Sequence, residues 1–131
     1  VVVTLEQFRR IAAKHQHPAT DTLLTAVDFY ARFYSGLYQH IASTPGCFAH
    51  DLLAFIYLVQ PDLFQVETKG VRVATDGLAQ GQTIMNRRDF IQYPHPGWEK
   101  DKPRTQVCME VDAPGCIALF EETMLGGWLA A

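Results

Sequence analysis

The stretch "GCFAHDLLAFIYLVQPDLF", residues 46–64, sets His50 and Asp51 in front of an apolar run. From Leu52 to Val59 nothing is charged, and the one polar group is the Tyr57 hydroxyl. The run stops before Pro61, which cannot continue a helix. Its composition predicts a helix that is apolar all round and buried on most sides. A carboxylate at the start of such a helix answers the free N–H groups and the positive end of the macrodipole. That is the simplest reading of Asp51. The other is a metal-binding carboxylate, with His50 facing the same cleft. A lone His-Asp pair does not choose between them, because a hard cation such as Ca²⁺ takes roughly 6–8 oxygen ligands.

Upstream, "STPGCFA" reads as a turn-rich loop. Before it, Leu23, Val27, Tyr30, Tyr34, Leu37, Tyr38 and Ile41 recur at steps of three and four, which predicts a helix from about Thr20 to about Ile41. "TLEQFRRIAAKH" begins with Thr4 as an N-cap and Gln7 three residues on, the pattern of a capping box. Leu5, Phe8, Ile11 and Ala12 then share one face. Val1 to Val3 read as the end of a strand belonging to a sheet whose other strands the sequence does not supply.

After Asp62 the hydrophobic period changes. "FQVETKGVRVAT" alternates and reads as one or two strands, and "GQTIMNRR" and "TQVCMEV" as further strands. Between the last two, "DFIQYPHPGWEKDKPR" reads as a surface loop. Asp112 is placed to cap a final helix from about Ala113 to Met124, with Pro114 in its first turn and Gly126 and Gly127 ending it. Helices come first, then a small group of strands and a last helix, an order open to an α+β fold or to part of an α/β fold.

Composition narrows the classes. The 131 residues suffice for a single unit with one core. Apolar residues make up 48% and charged residues 19%, the mix of an ordinary soluble globule. A net charge of -3 argues against nucleic acid as a partner, since a binder should carry a basic stripe. No apolar run approaches the roughly 20 residues that span a bilayer, and no signal peptide is expected at the N-terminus. Three cysteines, without a CxxC, read as reduced thiols in a cytoplasmic protein. The opening "VVVTLEQF", without a methionine, reads as entered from upstream.

Other candidates are weaker. Tyr34 and Tyr38 lie four apart on one helix face, as core packing or as an aromatic wall for a flat ligand. His15 and His17 have no companion at zinc-site spacing and read as loop residues. Arg87 and Arg88 read as solvated charges. Cys47, near His50 and Asp51, lacks the partner arrangement of a nucleophile. "GLAQGQT" lacks the lysine of a phosphate loop.

"HDLLAFIYLVQPDLF" resembles the segment of inosine-uridine-preferring nucleoside hydrolases that opens on His-Asp, runs into a buried helix and ends near Asp/Asn-Pro. "VETKGVRVATDGLAQGQTIMNRR" resembles that family's strand pair, "TQVCMEVDAPGCIALFEETM" its last strand and helix, and "VVVTLEQFRRI" the segment after its central strand. The resemblance covers most of the chain but only the C-terminal part of the family, whose N-terminal DxDxGxDD aspartate cluster is absent here. Leu52 stands where proline is common.

The resemblance implies the C-terminal portion of an open α/β sandwich whose full sheet is mostly parallel. It implies a nucleoside N-ribohydrolase that splits purine or pyrimidine nucleosides into ribose and free base. Asp51 would be one ligand of a Ca²⁺ ion that holds the ribose hydroxyls and activates water. His50 would help the base leave an oxocarbenium-like state. Tyr34 and Tyr38 would contact the base. The implied partners are a nucleoside substrate and either a second copy or the missing N-terminal half. A non-catalytic remnant or interaction module of the same fold is the competing reading.

Overall fold

The structure, a computed structural model, describes residues 1–14, 17–37, 45–88, 90–91, 98 and 103–126. These fall into two compact units, one built from residues 1–63 with 112–131 and the other from residues 64–111.

The first unit opens with strand β1 (Val2–Thr4) and runs directly into helix α1 (Leu5–Lys14). The capping box forms as the sequence predicts. The Gln7 backbone N–H donates to the Thr4 hydroxyl at 3.2 Å, and the Thr4 N–H donates to Gln7 Oε1 at 2.7 Å. Leu5, Phe8 and Ile11 are the buried face of α1, the face read from the sequence.

Helix α2 (Pro18–Leu37) begins two residues earlier than expected. Proline at the first helical position needs no N–H partner, and His17 Nδ1 accepts from the Ala19 N–H at 3.1 Å. Thr20 is not a cap. It is buried in the first turn, where its hydroxyl donates to the His17 carbonyl at 2.6 Å. The expected end of α2 near Ile41, with Tyr38, lies outside the described residues, as does His15. Val27 and Ala31 are buried, whereas Tyr30 and Leu37 from the predicted stripe are exposed.

Residues 46–48 depart from the expected loop. Gly46–Phe48 form strand β2, antiparallel to β1, with Val2 opposite Phe48 and Thr4 opposite Gly46. The chain therefore supplies the partner that Val1 to Val3 were expected to lack. Three residues are too few to show a period of two, and the Pro-Gly pair before Cys47 masked the strand. Gly46 is needed there: a Cβ would lie 2.6 Å from the Val3 carbonyl oxygen and 2.8 Å from Val2 Cγ1.

Helix α3 (His50–Val59) follows one residue later. It was expected to be covered on most sides, yet only Ile56 is buried; Phe55, Leu58 and Val59 are exposed, Leu58 at 76%. The helix exceeds the apolar area that the described residues of its unit offer to cover it. A 3₁₀ turn, Pro61–Leu63, ends this part of the unit.

Helix α4 (Ala113–Leu125) completes the unit. Asp112 caps it as predicted, its Oδ1 accepting from the Gly115 N–H at 3.0 Å. Phe120 meets Phe8 edge to face at 5.6 Å. Glu121 pairs with Arg10, and Lys14 Nζ donates to the Leu125 carbonyl at 2.8 Å. The ion pair is partly exposed and contributes under about 1 kcal/mol, so aromatic and aliphatic burial holds α4 to α1. The core is Val3, Leu5, Phe8, Val27 and Ala49, flanked by Leu23, Leu24, Cys47, Leu52 and Phe120.

The second unit is a three-stranded antiparallel sheet in the order β4–β3–β5. "FQVETKGVRV" is one strand, β3 (Phe64–Val73), which pairs with β4 (Thr83–Met85) and with β5 (Arg104–Val111). Every strand pairing among the described residues is antiparallel, so the parallel sheet implied for the full fold is not represented in them. The loop read between β4 and β5 lies mostly outside the described residues.

Gly46→Ala should lower stability by about 1–3 kcal/mol, because the Val3 carbonyl is backbone and cannot swing away. Urea unfolding followed by circular dichroism measures it; an unchanged midpoint would show that β1 and β2 are not so closely opposed.

Candidate functional site

β2 ends at Phe48, Ala49 is buried, and α3 starts at His50. Ala49 offers no side chain to cap the helix, and Asp51 is the acid of the first turn. Both His50 and Asp51 are exposed.

The structure brings Tyr34 and His50 together. Their ring centroids are 6.5 Å apart, at 79°. Phe48 completes a triangle with them. It stacks on the His50 imidazole at 5.7 Å with the planes 13° apart, and it meets Tyr34 edge to face at 5.2 Å. Tyr34 also touches Tyr30 at 6.0 Å and Phe33 at 5.8 Å. The result is an aromatic wall along α2 with an imidazole at its edge. Such a wall suits a flat ligand, and the imidazole can exchange a proton with a ring nitrogen of that ligand.

Sequence reasoning missed Phe48. Its place was not legible, because the chain turns at Ala49 from strand into helix and no single period links Phe48 to His50. Phe33 was missed because the apolar stripe was drawn through Tyr30 and Tyr34.

Asp51 stands apart from this group. Among the described residues no three His, Cys, Asp or Glu side chains gather closely enough to hold a metal ion. One carboxylate is far short of the roughly 6–8 oxygens that Ca²⁺ takes. The described residues therefore do not make a Ca²⁺ site by themselves.

Cys47, weighed as a nucleophile, is a poor one. It lies opposite Val3 in the β1–β2 pair, and burial pushes its thiol up. Cys116 is buried in α4, where burial first and Asp112 second push its thiol up as well. A buried thiol held in its neutral form attacks slowly.

Known proteins resemble this chain consistently. Residues 1–118 match the family model described as inosine-uridine preferring nucleoside hydrolase. A protein described as "probable uridine nucleosidase 1", from Oryza sativa subsp. japonica, is 30% identical over 94 residues, covering 72% of this chain and 29% of its own length. A solved plant nucleoside hydrolase superposes with a TM-score of 0.78 at 22% identity, over 95% of this chain and 37% of its own. A purine-preferring ribonucleoside hydrolase from Gardnerella vaginalis gives a TM-score of 0.73 at 24% identity, over 96% of this chain and 36% of its own. At these identities the two structures speak for the fold. The chain spans about a third of the length of these relatives.

The thiols set a pH limit. Above their ordinary value of 9.0, the unfolded chain sheds thiol protons that the folded one keeps. Stability should therefore fall as pH rises through that value and on toward the raised folded values. Urea midpoints from pH 7 to 10 check this, and Cys47→Ala should flatten the decline.

Proposed function

This chain belongs to the inosine-uridine preferring nucleoside hydrolase family, and on that premise we propose that it is the C-terminal portion of a nucleoside N-ribohydrolase. The observation that carries the proposal is the joining of His50, Phe48 and Tyr34 into one aromatic group. A purine or pyrimidine is a flat heterocycle whose leaving nitrogen builds negative charge. Tyr34 would stack on it and His50 would supply the proton; Tyr38, expected beside Tyr34 from the sequence, lies outside the described residues.

The reaction is nucleoside plus water giving ribose plus free base. The N-glycosidic bond breaks, its electron pair goes to the base nitrogen, and that nitrogen takes a proton from the His50 imidazolium. Water delivers hydroxide to the anomeric carbon, and its remaining proton returns the imidazole to its starting form.

Ca²⁺ is part of the proposal for the enzyme, with Asp51 as one ligand and the other donors from outside the described residues. When bound it would supply positive charge beside the ribose hydroxyls. The relatives are described as uridine nucleosidases and as a purine-preferring hydrolase, so nucleosides are the substrate class we assign. No helix among the described residues is long and apolar enough to cross a membrane. We place the protein in the cytoplasm, with its three cysteines reduced, and not on nucleic acid. We also expect the exposed apolar residues of α2 and α3 to be covered by a second copy or by the remainder of the family fold. A non-catalytic interaction module is the second reading.

The 131-residue chain expressed alone should release no base from uridine or inosine and should bind Ca²⁺ weakly by calorimetry. The full-length product of the gene should release base and lose that activity on chelation. Turnover by the short chain at the rate of the long one would overturn the division of the site.

In the full-length protein, Asp51→Ala should lower kcat on every nucleoside by more than about 1000-fold, as loss of a direct ion ligand would. His50→Ala should cost about 100-fold or less on uridine, the lower end of what one proton transfer contributes. Equal losses for the two variants on purine and pyrimidine nucleosides would mean that the roles are wrongly divided.

A further inference from the structure

We propose that Phe48 is a positioning residue for His50: its near-parallel ring contact fixes the imidazole in the orientation that hands a proton to the departing base. The inference rests on the nucleoside-hydrolase reading.

His50 is exposed at the first position of α3, and Ala49 before it makes no side-chain bond that would restrain the turn. An exposed imidazole in such a place rotates freely about two torsions. A proton donor that rotates spends little time aligned, and misalignment lowers the rate steeply. Among the described residues two rings meet the His50 imidazole, Tyr34 at 79° and Phe48 nearly parallel at 5.7 Å and 13°.

Phe48 can serve as a fixed wall because it is itself held. Its backbone is paired with Val2 in the β1–β2 ladder, and the Ala49 N–H donates to the Val1 carbonyl at 3.2 Å. Tyr34 closes on its ring edge from α2 at 89°. Among the described residues, Cys47 and Ala49 on either side of it pack against or into the core cluster, and Phe48 is not one of that cluster. A half-buried phenylalanine outside the core, parallel to a histidine and perpendicular to a tyrosine, is placed to hold the histidine.

The full-length gene product tests this with two readouts. In protein labelled with ¹³C-histidine, the His50 ring signals, identified by their loss in His50→Gln, should move in Phe48→Leu, which removes the neighbouring ring. Phe48→Tyr, which keeps a ring there, should leave them in place. On uridine, Phe48→Leu should lower kcat about 10-fold with little change in KM, and Phe48→Tyr should restore it. On 4-nitrophenyl riboside, whose leaving group departs without a proton, the loss in Phe48→Leu should be clearly smaller than on uridine. Equal losses on both substrates, or unmoved His50 signals in Phe48→Leu, would overturn the positioning role while leaving the hydrolase reading intact. A wild-type protein that cleaves neither substrate would overturn the hydrolase reading and the catalytic half of this inference with it, while the ring signals would still decide whether the stack exists.

Discussion

The close approach of β1 and β2 is the constraint on which the first unit depends. Three residues at the start of the chain pair with three that lie more than forty positions later, and the contact is close enough to require a glycine at Gly46. This pairing brings Val3 and Ala49 into one core with Leu5, Phe8 and Val27. It also fixes where α3 begins. The Ala49 N–H is tied to Val1, and His50 follows immediately. Packing and the functional site thus share one short ladder, so a change that loosens the ladder acts on both.

The same ladder shows which parts of the structure are legible in the sequence. Elements whose stabilising partners are local can be read: the Thr4–Gln7 box, the Asp112 cap with its following proline, the buried face of α1, and the alternating strands of the second unit. Their signals lie within a few residues. β2 has no such signal. Its stability comes from a distant strand, and its sequence, Gly-Cys-Phe after proline, has the chemistry of a turn. The exposure of α3 is illegible for a related reason. Composition tells how much cover a helix wants, whereas the partners available in space tell how much it receives.

The candidate site divides along the same line. His50 and Asp51 stand out in the sequence as the polar pair at the head of an apolar run, and Tyr34 belongs to a periodic stripe. That Tyr34 meets His50 is a tertiary fact: α2 and α3 are separated by residues 38–49, and only the position of β2 sets their rings 6.5 Å apart. Phe48 acquires its meaning from that meeting. By type it is an ordinary strand residue, and by position it is the ring against which both of the others rest.

The adjacency of His50 and Asp51 also has a geometric content. Consecutive residues on a helix leave its axis about 100° apart, so neighbours in sequence diverge. His50 is turned to Phe48 and Tyr34, and Asp51 does not join that aromatic group. One helix start therefore carries an imidazole that meets an aromatic group and an exposed carboxylate beside it. A nucleoside makes the same division, with a flat base that leaves as an acceptor of a proton and a ribose whose hydroxyls suit oxygen donors and cations. On the proposed function His50 would address the base and Asp51 the ribose end, a division that the divergence of two adjacent helix residues would allow.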